Sequence, residues 1–218
     1  MRPFLRLLAG GGVLAAGLTG LAAPAQAYPV PAPIVLSSGH VDVVDVEYED
    51  GDLELAVHDE NSDTAYAPSA VVLRVKNLAK TAVPDDPAYA FLGAPGDPVW
   101  LLPEIENPDL IFAGLSTEEL EPGVFRDDTV TLKVERVRGP GDVAVFTQDA
   151  VGAPEVLVDS GDGLPDAIPL ATGGHMHANW AFEEAGTYKL KVRATATLAA
   201  TGQTVSSAAA VYTFTVQR

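Results

Sequence analysis

Two of the chain's four histidines lie one residue apart, at His175 and His177. In an extended segment successive side chains alternate between faces, so both imidazoles project to one side and Met176 projects to the other. Two imidazoles within reach of one point make half of a transition-metal site. The two preceding glycines allow the backbone to approach closely or to take positive φ. This segment therefore predicts a metal site centred on His175 and His177.

The other two histidines, His40 and His58, lie in alternating polar and apolar segments on either side of the acidic turn 49–52. This pattern predicts a hairpin with both histidines at the same end of its ladder. Asp42 shares the face of His40, where its carboxylate is either a ligand or an acceptor for an imidazole N–H. The alternative is that the histidines are ordinary polar residues. The predicted metal ligands are His40, Asp42, His58, His175 and His177.

The ligand types narrow the choice of ion. The chain has no cysteine, and nitrogen-rich ligation suits zinc, copper or nickel, while a carboxylate also admits manganese. Zinc is the first choice, with copper or manganese as alternatives. Met176 faces away from the histidines, which disfavours a copper–thioether role. The acidic segment 159–166 lacks the spacing and terminal glutamate of an EF-hand, so a solvated turn is expected there.

The sequence gives little support for an enzyme. It contains neither a Gly-x-Ser-x-Gly motif nor a His-Glu-x-x-His helix. Asp59 or Glu60 could act as the base of a hydrolytic zinc site, but no other feature requires such chemistry. Trp100, Trp180 and Phe182 could form an aromatic platform for sugars or peptides, although a tryptophan buried in a β-sandwich core is commoner. We expect no enzymatic activity.

The first 27 residues have the pattern of a secretory signal peptide. Arg2 and Arg6 precede an apolar run from about residue 7 to residue 23, and Ala25-Gln26-Ala27 is a typical cleavage site. A single domain is then expected over residues 28–218, with no membrane-spanning segment. The protein is predicted to be secreted and extracellular, with cell-surface association as a possibility.

The net charge of −17 limits the classes of partner. Binding to nucleic acid needs clustered lysine and arginine, and docking on an anionic membrane needs the same. A strongly negative surface instead attracts cations, although it also serves the solubility of a secreted protein. We therefore predict no nucleic-acid partner and no direct membrane insertion.

The elements that must position these residues are strands. Hydrophobic periodicity is close to two along most of the chain, the segments are short, and glycine and proline lie between them. No long amphipathic helix is evident. The predicted fold is all-β, an antiparallel Ig-like β-sandwich with long loops.

Several of these motifs together resemble one known family, the actinobacterial surface-anchored protein domain, also described as the choice-of-anchor M domain. The matching segments occur in the same order along most of the chain. They are 39–42 (GHVD), the acidic turn, 57–59 (VHD), 91–93 (FLG), 96–103 (GDPVWLLP), 112–120 (FAGLSTEEL), 175–182 (HMHANWAF) and 186–188 (GTY).

The resemblance implies an exported protein associated with metal-type ABC transport systems for zinc or manganese. Members of the family are frequently anchored to the wall or membrane. This chain shows no hydrophobic tail or sorting motif after residue 210, so a freely secreted or non-covalently held version is expected. The leading hypothesis is metal capture or sensing at the cell envelope with an ABC importer as partner. The alternative is a surface module that binds glycan or protein and has a structural metal or none.

Overall fold

The computed structural model of the chain describes residues 32–218. The predicted signal peptide, residues 1–27, and the first residues of the predicted mature chain lie outside this range. Pro33–Arg218 belong to one structural unit. Within the described residues, no helix is long and apolar enough to cross a membrane.

The described chain is built almost entirely from short strands, as the period-two pattern predicts. Three short 3-10 helices interrupt them, at Pro68–Ala70, Asn77–Ala79 and Pro87–Leu92. The strands are β1 (Ile34–Leu36), β2 (Gly39–Glu49), β3 (Asp52–Asp59), β4 (Thr64–Tyr66), β5 (Val71–Val75), β6 (Lys80–Ala82), β7 (Pro98–Leu102), β8 (Ile111–Ser116), β9 (Phe125–Arg138), β10 (Val143–Gln148), β11 (Pro154–Asp159), β12 (Asp166–Ala171), β13 (His175–His177), β14 (Asn179–Phe182), β15 (Gly186–Leu198), β16 (Thr204–Ser206) and β17 (Ala210–Val216).

These strands form three sheets. The largest has seven strands in the order β1-β5-β17-β15-β9-β12, with β16 also paired to β15. A second sheet has the order β11-β10-β14-β7-β6. The third has the order β13-β8-β2-β3-β4 and carries all four histidines, so we call it the histidine sheet.

The all-β prediction is confirmed, but strand pairing is not antiparallel throughout. The pairs β1–β5, β5–β17 and β2–β8 are parallel, so two of the three sheets are mixed. Alternation along one strand reports which face is buried and carries no information about the direction of its neighbour. For this reason the sequence did not reveal the parallel pairs. The Ig-like sandwich stays a prediction.

The main hydrophobic core joins residues of all three sheets. Trp100 and Trp180 are buried in it, which excludes an exposed aromatic platform at these two positions. Tyr212 of β17 is also fully buried, and its hydroxyl donates a hydrogen bond of 3.3 Å to the carbonyl oxygen of Ala56 in β3. This bond ties the seven-stranded sheet to the histidine sheet.

A β-bulge in β2 decides which of its side chains share a face. The pairing of β2 with β3 shifts between Asp42 and Asp45, and the pairing with β8 shifts between Asp42 and Val44. The extra residue reverses the alternation after Asp42. Asp45, opposite Ser116, therefore joins the face of His40 and Asp42. Strict alternation from His40 and Asp42 predicts that Val44 is the next residue on this face. That expectation is wrong because the bulge interrupts the strand.

Candidate metal centre

The candidate centre lies where β8 separates β2, which carries His40 and Asp42, from β13, which carries His175 and His177. β8 pairs in parallel with β2 on one side and antiparallel with β13 on the other. In this register Gly114 is opposite both Asp42 and His177. His175 is opposite Ser116, two residues along on the same face of β8. His40, Asp42, His175 and His177 therefore share one face of the histidine sheet, as the spacing of each pair predicts.

Gly114 provides the space in which β2 and β13 side chains meet. A Cβ atom added at this position would overlap with Asp42 Oδ1 and would lie 2.9 Å from His175 Nε2. Glycine inside a strand commonly marks such a close approach. Any larger residue between Asp42 and the two histidines of β13 would force these side chains apart.

Three ligand-type atoms converge above Gly114. His175 Nε2 lies 2.9 Å from Asp42 Oδ1 and 3.2 Å from His40 Nε2, and His40 Nε2 lies 3.4 Å from Asp42 Oδ1. In a tetrahedral site with bonds of about 2.0–2.1 Å, neighbouring ligand atoms are about 3.3 Å apart. The three atoms are thus spaced like three corners of one coordination shell.

His177 completes the histidine group. Its ring stacks face to face on Phe112, with 3.4 Å between ring centroids and an interplanar angle of 5°. One ring nitrogen each of His40, His175 and His177 lie within 4.8 Å of one another. Burial, together with the neighbouring His40 and His175, lowers the pKa of His177 to about 4. At neutral pH its imidazole is therefore uncharged, as metal ligation requires.

Glu118 orients the ring of His175 from the other side. Its Oε2 lies 2.9 Å from His175 Nδ1. A neutral His175 that donates this proton to Glu118 presents the lone pair of Nε2 to Asp42 Oδ1 and to His40. A carboxylate behind a ligating histidine is the usual arrangement in metal sites, because it fixes the tautomer and the ring orientation. Two acceptor atoms facing each other at 2.9 Å require a proton or a cation beside them.

Asp42 is the most unusual group of the cluster. It is only 1% exposed, and neither carboxylate oxygen receives a hydrogen bond. Burial raises its pKa, and the nearby His175 and His40 only partly offset this effect. Buried polar atoms in folded proteins nearly always have a hydrogen-bond partner. The Asp42 carboxylate is an exception to this rule, and because imidazole nitrogens surround it, a role as a metal ligand explains it.

His58 is the predicted ligand that the structure places apart from the other histidines. It lies opposite Asp42 in β3, at the predicted end of the hairpin. Its Nδ1 lies 3.2 Å from Glu60 Oε1 and its Nε2 lies 3.5 Å from Asp63 Oδ1. His58 forms a separate group of ligand atoms with Asp42 and Glu60. The five predicted residues thus form two groups that share Asp42.

Sequence reasoning missed three residues of the centre as parts of the site: Phe112, Gly114 and Glu118. Phe112 and Gly114 lie in β8, a strand that shows no clear alternation and was not predicted as one. The available signal was Gly114 itself, a glycine within an apolar run. Comparison of the chain with protein-family models and with curated proteins gave no match, so the resemblance to the surface-anchored family stays a prediction.

Proposed function

We propose that the protein binds a transition-metal ion through His40, Asp42 and His175, with His177 as the fourth ligand. The observation that carries this proposal is the convergence of His40 Nε2, His175 Nε2 and Asp42 Oδ1, with separations of 2.9–3.4 Å. The burial of the Asp42 carboxylate, whose oxygens receive no hydrogen bond, adds to this support.

Zinc is the ion that this ligand set fits best. Three imidazoles and one carboxylate give four ligands of the types that Zn²⁺ prefers in tetrahedral sites. Copper(II) and manganese remain alternatives because imidazole suits the former and carboxylate suits the latter. Met176 lies between the two histidines and pairs with Leu115, a core residue, which places its thioether on the other face of the sheet.

We propose further that the metal is exchangeable cargo and not solely a structural element. The side chains of His40 and His175 are 31% and 20% exposed, so an ion held by them has access to solvent. The charge of −17 favours cation capture. Together with the predicted signal peptide and the family resemblance, these features support metal capture or sensing outside the cell, in partnership with a metal-type ABC importer. No catalytic role is proposed.

For the fold, we propose that the sheets pack as an Ig-like sandwich. The support is the single main core to which side chains of all three sheets contribute. An experimentally determined structure with its sheet-packing angles tests this assignment.

The test of the function is the metal content of the untagged protein, measured by elemental analysis and by calorimetric titration with zinc. We expect a specific high-affinity zinc site. The variant H175A/H177A should lose it, because only one imidazole and one carboxylate of the four ligands remain. Circular dichroism of the metal-free proteins controls for folding, and Glu155→Gln, on β11 of another sheet, is a control substitution outside the site.

A folded wild-type protein that binds no zinc, copper or manganese would overturn the proposal and leave the surface interaction module as the better hypothesis. Equal zinc binding by wild type and H175A/H177A would also overturn it. If the metal were solely structural, its removal would unfold the chain. We instead expect metal-free wild type to stay folded and to take up zinc reversibly.

A further inference from the structure

We propose that the cluster has a second cation position, formed by His58, Glu60 and Asp42, so that the Asp42 carboxylate bridges two divalent ions. This inference rests on the proposed function, because Asp42 also belongs to the first site. It adds Glu60 as a ligand and assigns His58 to a different ion from the other histidines.

The histidine sheet places the three residues together. His58 is the direct cross-strand neighbour of Asp42, so their side chains lie on the same face. Glu60 directly follows β3, two residues after His58, and its backbone N–H donates to the carbonyl oxygen of His40. One ligand atom each of Asp42, His58 and Glu60 lie within 4.8 Å of one another. The 3.2 Å between His58 Nδ1 and Glu60 Oε1 is again the spacing of adjacent metal ligands.

The second carboxylate oxygen of Asp42 is also available for an ion. Oδ1 faces His40 and His175, and the first ion would use that oxygen. Oδ2 is equally buried and has no hydrogen bond of its own. If Oδ1 binds the first ion, Oδ2 is left for a second ion held by His58 and Glu60, and Asp42 would then act as the bridging carboxylate of a two-metal site, in which the ions lie about 3.5–4 Å apart.

The charges around His58 favour a second dication. Besides Glu60, Asp63 lies 3.5 Å from its Nε2, and Asp63 is 98% exposed and free to reorient. Asp45, on the same face of the sheet, is buried and has one unpartnered carboxylate oxygen. In the described part of the chain, the ion pairs made by lysine and arginine gather at Glu135 instead. Among the described residues, the acidic groups around His58 thus have this imidazole but no lysine or arginine as a partner.

One of the three ligands, His58, also borders a cavity. A cavity of about 290 Å³ lies beside His58, with Asp45 and Glu119 among its lining residues. The cavity gives His58 an approach from solvent on the side away from β13.

The two positions differ in chemistry. The first has three imidazole nitrogens and one carboxylate, and the second has one nitrogen and two carboxylates. Oxygen-rich ligation lowers the preference for zinc over manganese. We therefore expect the second position to bind more weakly than the first and to accept Mn²⁺ more readily.

The competing interpretation is that His58 is only an ion-pair partner of Glu60 and Asp63. It predicts one bound ion per chain and no effect of His58 or Glu60 on metal stoichiometry. Stoichiometry therefore separates the two interpretations, provided that the first site is measured in the same experiment.

The test uses native mass spectrometry and calorimetric titration of the untagged protein with Zn²⁺, followed by Mn²⁺ titration of the one-zinc form monitored by electron paramagnetic resonance. Wild type should bind two ions, the second more weakly. Glu60→Gln and His58→Asn should each bind one zinc with wild-type affinity and should lose at least about tenfold in affinity for the second ion. Glu155→Gln should behave as wild type. Two variants are used so that a folding defect in one leaves the other interpretable.

Each outcome has a separate meaning for the two proposals. A single zinc in wild type, unchanged in both variants, overturns the second position and leaves the first site intact. A second ion that both variants retain also overturns it, because that ion binds elsewhere on the acidic surface. No zinc at all in wild type overturns the proposed function itself.

Discussion

Two carboxylates on different sheets, Asp42 and Glu135, have opposite environments. Glu135 lies in β9 and accepts hydrogen bonds from Lys191 Nζ at 2.7 Å and from Arg193 Nε at 2.8 Å. These bonds lower the pKa of Glu135 to about 2. Asp42 is more deeply buried, and its oxygens receive no hydrogen bond. Its basic neighbours are the imidazoles of His175 and His40 and not lysine or arginine. Burial raises its pKa, and the two imidazoles offset this effect only in part.

This difference in environment indicates that Glu135 stabilises the fold, whereas Asp42 is suited to bind a cation. The charge of Glu135 is already neutralised within the protein, so this residue has no need of a ligand. The charge of Asp42 costs free energy in the metal-free chain, because a buried carboxylate without a partner loses its hydration. A bound cation offsets that cost. Folding of β2 beside β8 therefore holds Asp42 in a state that favours metal binding.

Replacement of Asp42 or Glu135 by its amide should affect zinc affinity and the stability of the metal-free protein in opposite ways. Asp42→Asn should weaken zinc binding more than about 100-fold, since it removes a direct ligand and even outer partners contribute about 10–100-fold. It should also raise the free energy of unfolding of the metal-free protein by about 1 kcal/mol, because the buried charge is gone. Calorimetric titration and urea denaturation measure the two quantities.

Glu135→Gln is the matched control for this variant. It should leave zinc affinity unchanged and slightly lower the stability of the metal-free protein, since the ion pairs with Lys191 and Arg193 are lost. If Asp42→Asn instead destabilised the metal-free chain and bound zinc normally, Asp42 would be a structural residue like Glu135.

The next largest effect on zinc affinity is expected from a substitution at Gly114. Gly114→Ala places a methyl group where Asp42 Oδ1 and His175 Nε2 meet. We expect zinc affinity to fall about 10–100-fold, as for loss of a supporting residue, and stability to fall by about 1–3 kcal/mol through overpacking. Calorimetric titration and thermal denaturation measure the outcome.

Gly141→Ala is a suitable control, because its added Cβ would meet the side chains of Glu183 and Glu184, away from the histidine sheet. It should not alter zinc binding. Unchanged zinc affinity in Gly114→Ala would show that Asp42 and His175 do not need to approach each other, and would contradict the proposed geometry.

The smallest effect concerns the contribution of Glu135 to the pH dependence of protein stability. Its pKa is about 2 in the folded protein, below the ordinary value of 4.5. The unfolded chain therefore binds a proton first as the pH falls, and the stability from this residue is present above pH 4.5 and lost between pH 4.5 and about 2. Glu135→Gln should flatten this part of the stability curve, measured as melting temperature against pH. An identical curve would show that the ion pairs do not persist in solution.

Much of the histidine sheet followed from local pattern. The acidic turn predicted the β2–β3 hairpin, and the His-x-His spacing predicted that His175 and His177 share a face. Both are seen in the structure, since a two-residue period and a turn are properties of neighbouring residues. The position of His58 at the same end of the hairpin as His40 followed in the same way.

The remaining features depend on contacts distant in sequence. The parallel pairing of β8 with β2 joins segments about 70 residues apart, and its local sequence gives no alternation to predict it. The bulge after Asp42 depends on both neighbours of β2. The division of the ligands into two groups requires this register, because it decides that His58 faces Asp42 from β3 while His175 and His177 approach from beyond β8.

The most direct test of the central claim is the position of the ion in crystals of the protein grown with one equivalent of zinc. Anomalous diffraction on both sides of the zinc absorption edge locates the metal without assumptions about its ligands. We expect a single strong peak within bonding distance of His40 Nε2, His175 Nε2 and Asp42 Oδ1. A peak only on exposed carboxylates elsewhere on the surface, or no peak beside Asp42, would contradict it.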